Sequence, residues 1–277
     1  MQVLTHFPIL KALGWALVNS MWQTAALWVI YILFASVFQN AAARHRLALL
    51  LLAAGALSLT TSFLAAWIFP RDAGSLILSV LSPGRPAAGG FWQGCGRIVE
   101  DALPYGSSLY LLILCFLLGR YGANYRRSRR LTRYGLSAMP PQFRTFASST
   151  ALQLGIRVPV SAWLSSLVDV PVTLGFLKPI ILLPAAIITR LTPQQVEAIL
   201  VHELAHIRRM DYFLHLVITV LEGVFFFNPF ARLLIRQLKK ERENCCDDLV
   251  LQFRYDPHAY VSALLSLASC HHFVQRL

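Results

Sequence analysis

The sequence predicts a mainly α-helical membrane protein, in which about three membrane-spanning helices precede a smaller α+β domain. Hydrophobic residues make up 56% of the 277-residue chain and charged residues only 14%, whereas a soluble domain is usually about a quarter charged. In the amino-terminal half, the apolar residues form stretches close to the length of about 20 residues that crosses a bilayer. The carboxy-terminal half has shorter apolar runs separated by polar sequence, which is typical of a folded domain.

The predicted transmembrane region is 1–122, with spans at about 12–38, 47–69 and 104–121. The second span contains no charged residue, and the third contains none before Arg120. The first span is longer than the apolar core of a signal peptide and lacks a cleavage-site pattern, so it is predicted to be a retained helix.

Positive charge predicts the orientation of these spans, because Lys and Arg concentrate in cytoplasmic loops. Arg44 and Arg46 lie in the short link between the first two spans. An arginine cluster without acidic residues also lies at and beyond the end of the third: Arg120, Arg126, Arg127, Arg129, Arg130 and Arg133. The link between the first two spans and the region after the third are therefore both expected to be cytoplasmic, with the amino terminus outside.

The formal net charge of +12 could also indicate a nucleic-acid partner. The arginine cluster adjoins a membrane span, however, where attraction to anionic lipid headgroups explains it more simply. No recognition-helix pattern or interleaving of aromatic and basic residues accompanies it. The predicted partner is the lipid bilayer, and no direct nucleic-acid binding is expected.

The remaining residues, 123–277, are predicted to form the α+β domain. A helix is expected over 140–154, followed by short β-rich runs at 158–163, 172–174 and 180–183 that Pro and Gly punctuate. These runs are consistent with a small β-sheet.

A metal-binding motif, His-Glu-Leu-Ala-His, follows this sheet at 202–206. On a helix His202 and His206 stand one turn apart, so both imidazoles can reach one zinc ion. Glu203 lies beside them, where its carboxylate can act as general base. Thr192, before Pro193, is predicted to be the N-cap of this helix.

A third ligand is needed, since catalytic zinc usually has three protein ligands and a water. Asn228 and a following proline predict the start of a helix that continues to about Phe253. Glu243 lies on that helix and is the preferred third ligand, with Glu241 as its rival. Asp247 shares a face with Glu243 and could accept a hydrogen bond from a ligand histidine.

The chemistry also needs a group near the metal that stabilises the transition state. His215, Arg242 and Tyr255 are all candidates, and the sequence does not choose among them. Cys246 could face the metal and confer redox control, but the stronger prediction is burial as a small apolar residue.

The apolar segment at about 212–227 is predicted to be a membrane-associated helix. It is shorter than a full crossing, and a span or a re-entrant helix are its alternatives. Within it, Glu222 is predicted to be a partnered structural carboxylate rather than a polar gate.

Together these residues resemble the BlaR/MecR-type membrane metallopeptidases, the antirepressor or β-lactam sensor-transducer peptidases. The resemblance implies that His202, His206 and Glu243 bind one Zn²⁺ per chain, that Glu203 is the general base and that Asp247 supports a ligand histidine. The given sequence lacks a counterpart of the extracellular penicillin-binding domain of the best-known members, so the resemblance does not extend to the β-lactam stimulus. The residues that carry it are Pro171, Thr173, Leu174, Gly175, Lys178, Pro179, 182–184, 202–206, Arg209, Asp211, Asn228, Pro229 and 241–247.

The resemblance implies a gluzincin-like zinc endopeptidase in the bacterial plasma (inner) membrane, multi-pass, with its active site facing the cytoplasm. Its expected action is to transmit a signal by cleaving itself, a cytoplasmic transcriptional repressor of the winged-helix type, or both. A homodimer is compatible with this expectation. The alternative function is a catalytically silent membrane scaffold that uses the zinc fold to bind a partner; the intact Glu203 argues against it.

Overall fold

The computed structural model describes residues 8–69, 91–131, 134–175, 178–253, 258, 260–263 and 265. In this described part the chain is mostly helical, with one small sheet, as predicted. The elements in chain order are α1 (Pro8–Ala35), α2 (Ala41–Ile68), α3 (Phe91–Leu131), β1 (Leu136–Ala138), α4 (Pro141–Gln153), β2 (Ser161–Ser165), β3 (Val172–Leu174), β4 (Ile180–Pro184), α5 (Ile187–Arg190), α6 (Pro193–Arg208), α7 (Asp211–Val224) and α8 (Pro229–Gln252).

The chain divides into two compact units. The first comprises Met1–Arg120 and Val220–Lys240, and the second comprises Tyr121–Thr219 and Glu241–Leu277. The division after Arg120 lies close to the boundary predicted at 122. The sequence did not predict that 220–240 would join the amino-terminal unit. The orientation of the domain relative to a bilayer stays a prediction.

Three described helices are long and apolar enough to cross a membrane: α1, α2 and the Ile98–Arg127 part of α3. They confirm the predicted number of spans, although the bounds differ. The first helix ends at Ala35, before Asn40 caps α2 by accepting a hydrogen bond from the amide of Ala42 at 2.8 Å. The third helix continues past the apolar stretch, because arginine and serine extend an existing helix at little cost.

A buried asparagine connects α1 to the start of α8 within the first unit. Asn228 is 0% exposed, and its Oδ1 accepts hydrogen bonds from the amides of Phe230 and Ala231, both at 3.1 Å. The same oxygen accepts from the Thr24 hydroxyl at 3.0 Å, while Nδ2 donates to the Ser20 carbonyl at 3.1 Å. Asn228 therefore caps α8, as predicted, and also satisfies buried polar groups of α1.

The predicted membrane-associated segment forms a helix that is shorter than expected. Helix α7 ends at Val224, and the chain then turns through Phe225–Phe227 before Asn228. Whether it contacts a membrane stays a prediction. Glu222 on α7 accepts a hydrogen bond from Lys239 Nζ at 2.6 Å, which confirms that this carboxylate is partnered.

The second unit contains a four-stranded mixed sheet in the order β1-β2-β4-β3. Strands β2 and β4 are parallel, and the edge strand β3 runs antiparallel to β4 with Thr173 opposite Ile181. The strand predicted at 158–163 is shifted to Ser161–Ser165. Strand β1 was not predicted, because its sequence, Leu-Ser-Ala, contains no β-branched or aromatic residue.

Helix α6 packs into the core of the second unit. Leu200 and Leu204, both 0% exposed, lie in one hydrophobic cluster with Ile181 and Leu183 of β4. Helix α6 begins at the predicted N-cap, Thr192, with a capping box: the Thr192 hydroxyl accepts from the Gln195 amide, and the Gln195 side chain accepts from the Thr192 amide at 3.0 Å. One side of α6 is thus anchored in apolar contacts.

We predict that Asn228→Ala lowers the melting temperature of the protein in detergent by roughly 5–10 °C. The substitution removes the cap of α8 and two hydrogen bonds to α1, one with the Thr24 hydroxyl and one with the Ser20 carbonyl. Circular dichroism at increasing temperature measures the effect. Asn40→Ala is the matched control, because it removes only an exposed cap, worth about 1 kcal/mol. Equal effects of the two substitutions would contradict a role for Asn228 beyond capping.

Candidate metal centre

Helix α6 presents two histidines on one face. The Nε2 atoms of His202 and His206 lie 3.2 Å apart, and the two rings meet at an angle of 81°. The one-turn spacing brings the rings together, and the packed opposite flank of α6 limits rotation of the helix. Both imidazoles therefore direct a nitrogen at the same point.

Glu243 of α8 directs a carboxylate oxygen at that point. Its Oε2 lies 3.7 Å from Nε2 of His202 and 3.5 Å from Nε2 of His206. Tetrahedral zinc with bonds of about 2.0–2.1 Å separates its ligand atoms by about 3.3 Å. The three side chains therefore fit one zinc ion.

Arg242 holds the other oxygen of this carboxylate. Its Nη2 and Nε lie 2.8 and 3.1 Å from Glu243 Oε1. The guanidinium thereby orients Oε2 towards the histidines. Glu241, the rival ligand, is 2% exposed and accepts a hydrogen bond from Asn244 at 3.0 Å. Among the described residues, two groups have metal-ligand spacing, one of His202, His206 and Glu243 and one of His206, Asp211 and Cys246, and neither contains Glu241.

A carboxylate and a phenol support His202 on the side away from the candidate metal. Nδ1 of His202 lies 3.1 Å from Asp247 Oδ1 and 2.8 Å from the Tyr260 hydroxyl. Burial alone would lower the pKa of this histidine, but hydrogen bonds with Asp247 and Glu243 outweigh it and raise the pKa to about 9. Asp247 was expected near a ligand histidine from the sequence. Tyr260 was not, because its position has no fixed spacing from the motif.

His206 has a separate and deeper support. Its Nδ1 lies 2.7 Å from Asp211 Oδ2 and 3.4 Å from the sulfur of Cys246. Burial alone would lower the pKa of this histidine, but the hydrogen bonds with Asp211, Cys246 and Glu243 outweigh it and raise the pKa to about 12. Cys246 is 0% exposed, as predicted, although its contact with the histidine was not foreseen.

The raised pKa values of the two histidines show that the site favours positive charge. Despite their burial, both histidines are held towards the protonated form, while hydrogen bonds with them outweigh the effect of burial on Glu243 and keep its pKa well below the usual range. A divalent cation would satisfy the same carboxylates in place of the two protons. Geometry and charge therefore both fit a metal centre.

Glu203 is buried on α6 beside the histidines, at 6% exposure. Its Oε2 accepts a hydrogen bond from the Thr173 hydroxyl at 2.7 Å. Thr173 belongs to the edge strand β3, so this bond ties the glutamate to the rim of the sheet. A carboxylate held in this way has one oxygen occupied and one available to take a proton.

None of the three candidates for transition-state stabilisation is assigned that role by its position among the described residues. Arg242 is engaged with Glu243, and His215 is an exposed residue of α7. Tyr255 lies outside the described residues. The stabilising role therefore stays a prediction for all three.

Comparison with known proteins identifies a family and several relatives of this chain. Residues 110–275 match the family described as BlaR1 peptidase M56. The Regulatory protein BlaR1 of Bacillus licheniformis is 34% identical over 88 residues, which cover 32% of this chain and 14% of the relative. The Methicillin resistance mecR1 protein of Staphylococcus aureus (strain Mu50 / ATCC 700699) is 27% identical over 106 residues, which cover 38% of this chain and 18% of the relative. The Staphylococcus epidermidis protein of the same name matches with the same values.

The matched segments span less than a fifth of each of these relatives. The family match alone covers more than half of the present chain, and it includes both histidines, Glu203 and Glu243. A metal-ligand group at these positions is what a metallopeptidase needs. The chain therefore belongs to the BlaR1 peptidase M56 family of metallopeptidases.

Proposed function

We propose that this protein is a membrane-bound zinc endopeptidase that transmits a signal by cleaving itself, a cytoplasmic repressor, or both. The observation that carries the proposal is the convergence of His202, His206 and Glu243, whose ligand atoms lie 3.2–3.7 Å apart beside the buried Glu203. The names of its relatives, a regulatory protein and a methicillin resistance protein, support the signalling part of the proposal.

His202, His206 and Glu243 would hold one Zn²⁺ per chain. When bound, zinc supplies a Lewis acid that lowers the pKa of water and polarises the substrate carbonyl. Asp211 and Asp247 accept hydrogen bonds from the Nδ1 atoms of the two histidines. Each Nε2 is thereby left without a proton and can act as a metal ligand.

Glu203 is the proposed general base. Its oxygen that is not bonded to Thr173 accepts a proton from the attacking water, and the glutamate then passes that proton to the leaving amine. The Thr173 hydroxyl keeps the carboxylate orientation constant between the two transfers. Such proton transfers contribute about 10²–10⁴-fold to rate.

An extended substrate segment would bind along β3. Within the described sheet this strand pairs with β4 on one edge and has no strand on the other. Addition of a peptide as a further strand would place its backbone beside Thr173, which contacts Glu203. Main-chain hydrogen bonds along this edge would hold the scissile bond in an extended conformation.

The arginine cluster after the apolar part of α3 supports a cytoplasmic location for the peptidase domain. A cytoplasmic site has access to cytoplasmic proteins, including a winged-helix repressor, and the apolar helices α1, α2 and α3 would contact the lipid bilayer. A second copy of the chain is a substrate for self-cleavage in trans.

We predict that Glu203→Gln lowers peptide hydrolysis by at least about 100-fold and leaves bound zinc unchanged. The amide keeps the shape of the side chain but accepts no proton. Purified full-length protein in detergent is loaded with zinc and incubated with a peptide library, and new termini are counted by mass spectrometry. Glu197→Gln on the same helix is the control and is expected to retain activity. Undiminished cleavage by Glu203→Gln would show that another group is the base.

We predict that Glu243→Gln reduces the zinc content of purified protein from one equivalent to a small fraction, because the neutral amide is a poor zinc ligand. Elemental analysis by mass spectrometry measures the bound metal. Glu241→Gln tests the rival ligand and is expected to keep one equivalent. Loss of zinc only in the Glu241 variant would reverse the assignment.

We predict that a photo-crosslinking amino acid at Leu174 on β3 captures substrate peptide, because the bound peptide would lie along that edge. The background is Glu203→Gln, which prevents turnover. The same amino acid at Ser137 on β1, the opposite edge of the sheet, is the control and is expected to capture little. Equal capture at the two edges would contradict strand addition at β3.

A further inference from the structure

Tyr260 connects the segment 260–263 to the metal centre through its hydroxyl. The residue is 4% exposed, and its hydroxyl lies 2.8 Å from His202 Nδ1 and 2.8 Å from Asp247 Oδ1. The three groups form a closed triangle, because Nδ1 and Oδ1 are themselves 3.1 Å apart. Neither the function proposed above nor the motif spacing requires a phenol at this place.

The directions of these hydrogen bonds follow from what each group can donate. The Tyr260 hydroxyl lies 2.8 Å from Asp247 Oδ1, in the geometry of a donor to that oxygen. An ionised carboxylate only accepts, so Tyr260 must donate its proton to Asp247. The lone pairs of the phenol oxygen then face His202 Nδ1 and can accept a hydrogen bond from its N–H group. Only the tautomer with the proton on Nδ1 satisfies this arrangement, and that tautomer leaves Nε2 free.

The aromatic ring of Tyr260 has a separate, structural contact. It packs in a small hydrophobic cluster with Ala198, Val201 and Val250. Neighbouring residues hold the same segment: Ala263 is buried in the main core, and Ser262 accepts a hydrogen bond from Gln195 Nε2 at 2.8 Å. The segment is thus seated on α6 by its apolar groups and Ser262, whereas the phenol oxygen alone bonds His202.

We propose that Tyr260 is a positioning residue of the metal centre, whose hydroxyl fixes the tautomer and ring orientation of His202 and so makes metal affinity depend on how the segment 260–263 is seated. The inference rests on the proposed zinc function. Removal of a partner that orients a ligand histidine typically lowers metal affinity by about 10–100-fold. Because Asp247 also lies close to Nδ1 and keeps part of the support, loss of the phenol oxygen is expected near the lower end, about tenfold.

Tyr260→Phe is the decisive variant, because phenylalanine keeps the ring in its cluster and removes only the oxygen. Full-length protein in detergent is titrated with Zn²⁺ against a chelator of known affinity. The zinc dissociation constant is expected to rise about tenfold, while the melting temperature of the metal-free protein changes little. Tyr134→Phe is the matched control, since Tyr134 is 66% exposed. It is expected to bind zinc as the unmodified protein does.

Two further variants separate positioning from general destabilisation. Asp247→Asn combined with Tyr260→Phe is expected to weaken zinc binding by less than the product of the single effects, because both groups act on one nitrogen. Ser262→Ala loosens the seat of the segment with the phenol intact. It is expected to weaken zinc binding in the unmodified protein and to add nothing in the Tyr260→Phe background.

A zinc affinity of Tyr260→Phe within twofold of the unmodified protein would overturn the inference, as would a weakening fully matched by a lower melting temperature. The readout is metal binding, so it does not depend on hydrolysis. If Tyr260→Phe binds zinc normally and Glu203→Gln is inactive, only this inference is contradicted. If Tyr260→Phe binds zinc more weakly and Glu203→Gln is fully active, the role of Glu203 as base is contradicted and this inference is kept. Unmodified protein that binds no zinc overturns both.

Discussion

The second unit depends on one electrostatic constraint: four carboxylates lie in or beside a largely buried pair of histidines. Oxygens of Asp211, Asp247 and Glu243 lie 2.7–3.7 Å from ring nitrogens of His202 and His206. The fourth carboxylate, Glu203, is buried next to His202 in the chain. Such a concentration of negative charge is unfavourable unless positive charge accompanies it. Without a metal, protons on the histidines supply that charge, which is why their pKa values are raised. A divalent cation at the shared point neutralises the carboxylates more effectively and releases those protons.

Local interactions hold the helices that carry these carboxylates and histidines in place. The capping box and the apolar flank of α6 hold the helix in place without help from the polar face. Glu243, on α8, is oriented by its own neighbour Arg242, whose Nη2 lies 2.8 Å from its Oε1.

The sequence predicted the elements whose signals are local. His202, Glu203 and His206 follow from a helical period, and the caps at Thr192 and Asn228 follow from side-chain chemistry. Asp211 and Tyr260 could not be placed in this way. Asp211 approaches His206 because Met210, with φ of 58°, turns the chain sharply between α6 and α7, and no spacing rule predicts that turn. Tyr260 approaches His202 only through packing of a segment far along the chain, so its contact is a product of tertiary structure alone.

The carboxylates that support the two histidines differ in their exposure to solvent. Asp211, the partner of His206, has a side chain that is 5% exposed, whereas Asp247, the partner of His202, has one that is 40% exposed. A hydrogen bond to a buried carboxylate is held in a low-dielectric surrounding and is disturbed little by solvent. Water competes with His202 for the more exposed carboxylate of Asp247, so the bond between them is weaker unless a third group stabilises it. The Tyr260 hydroxyl is that group: it shields one oxygen of Asp247 and offers a second acceptor to the histidine. His206 is therefore the constant half of the candidate metal centre, and His202 is the half whose strength the rest of the protein can adjust.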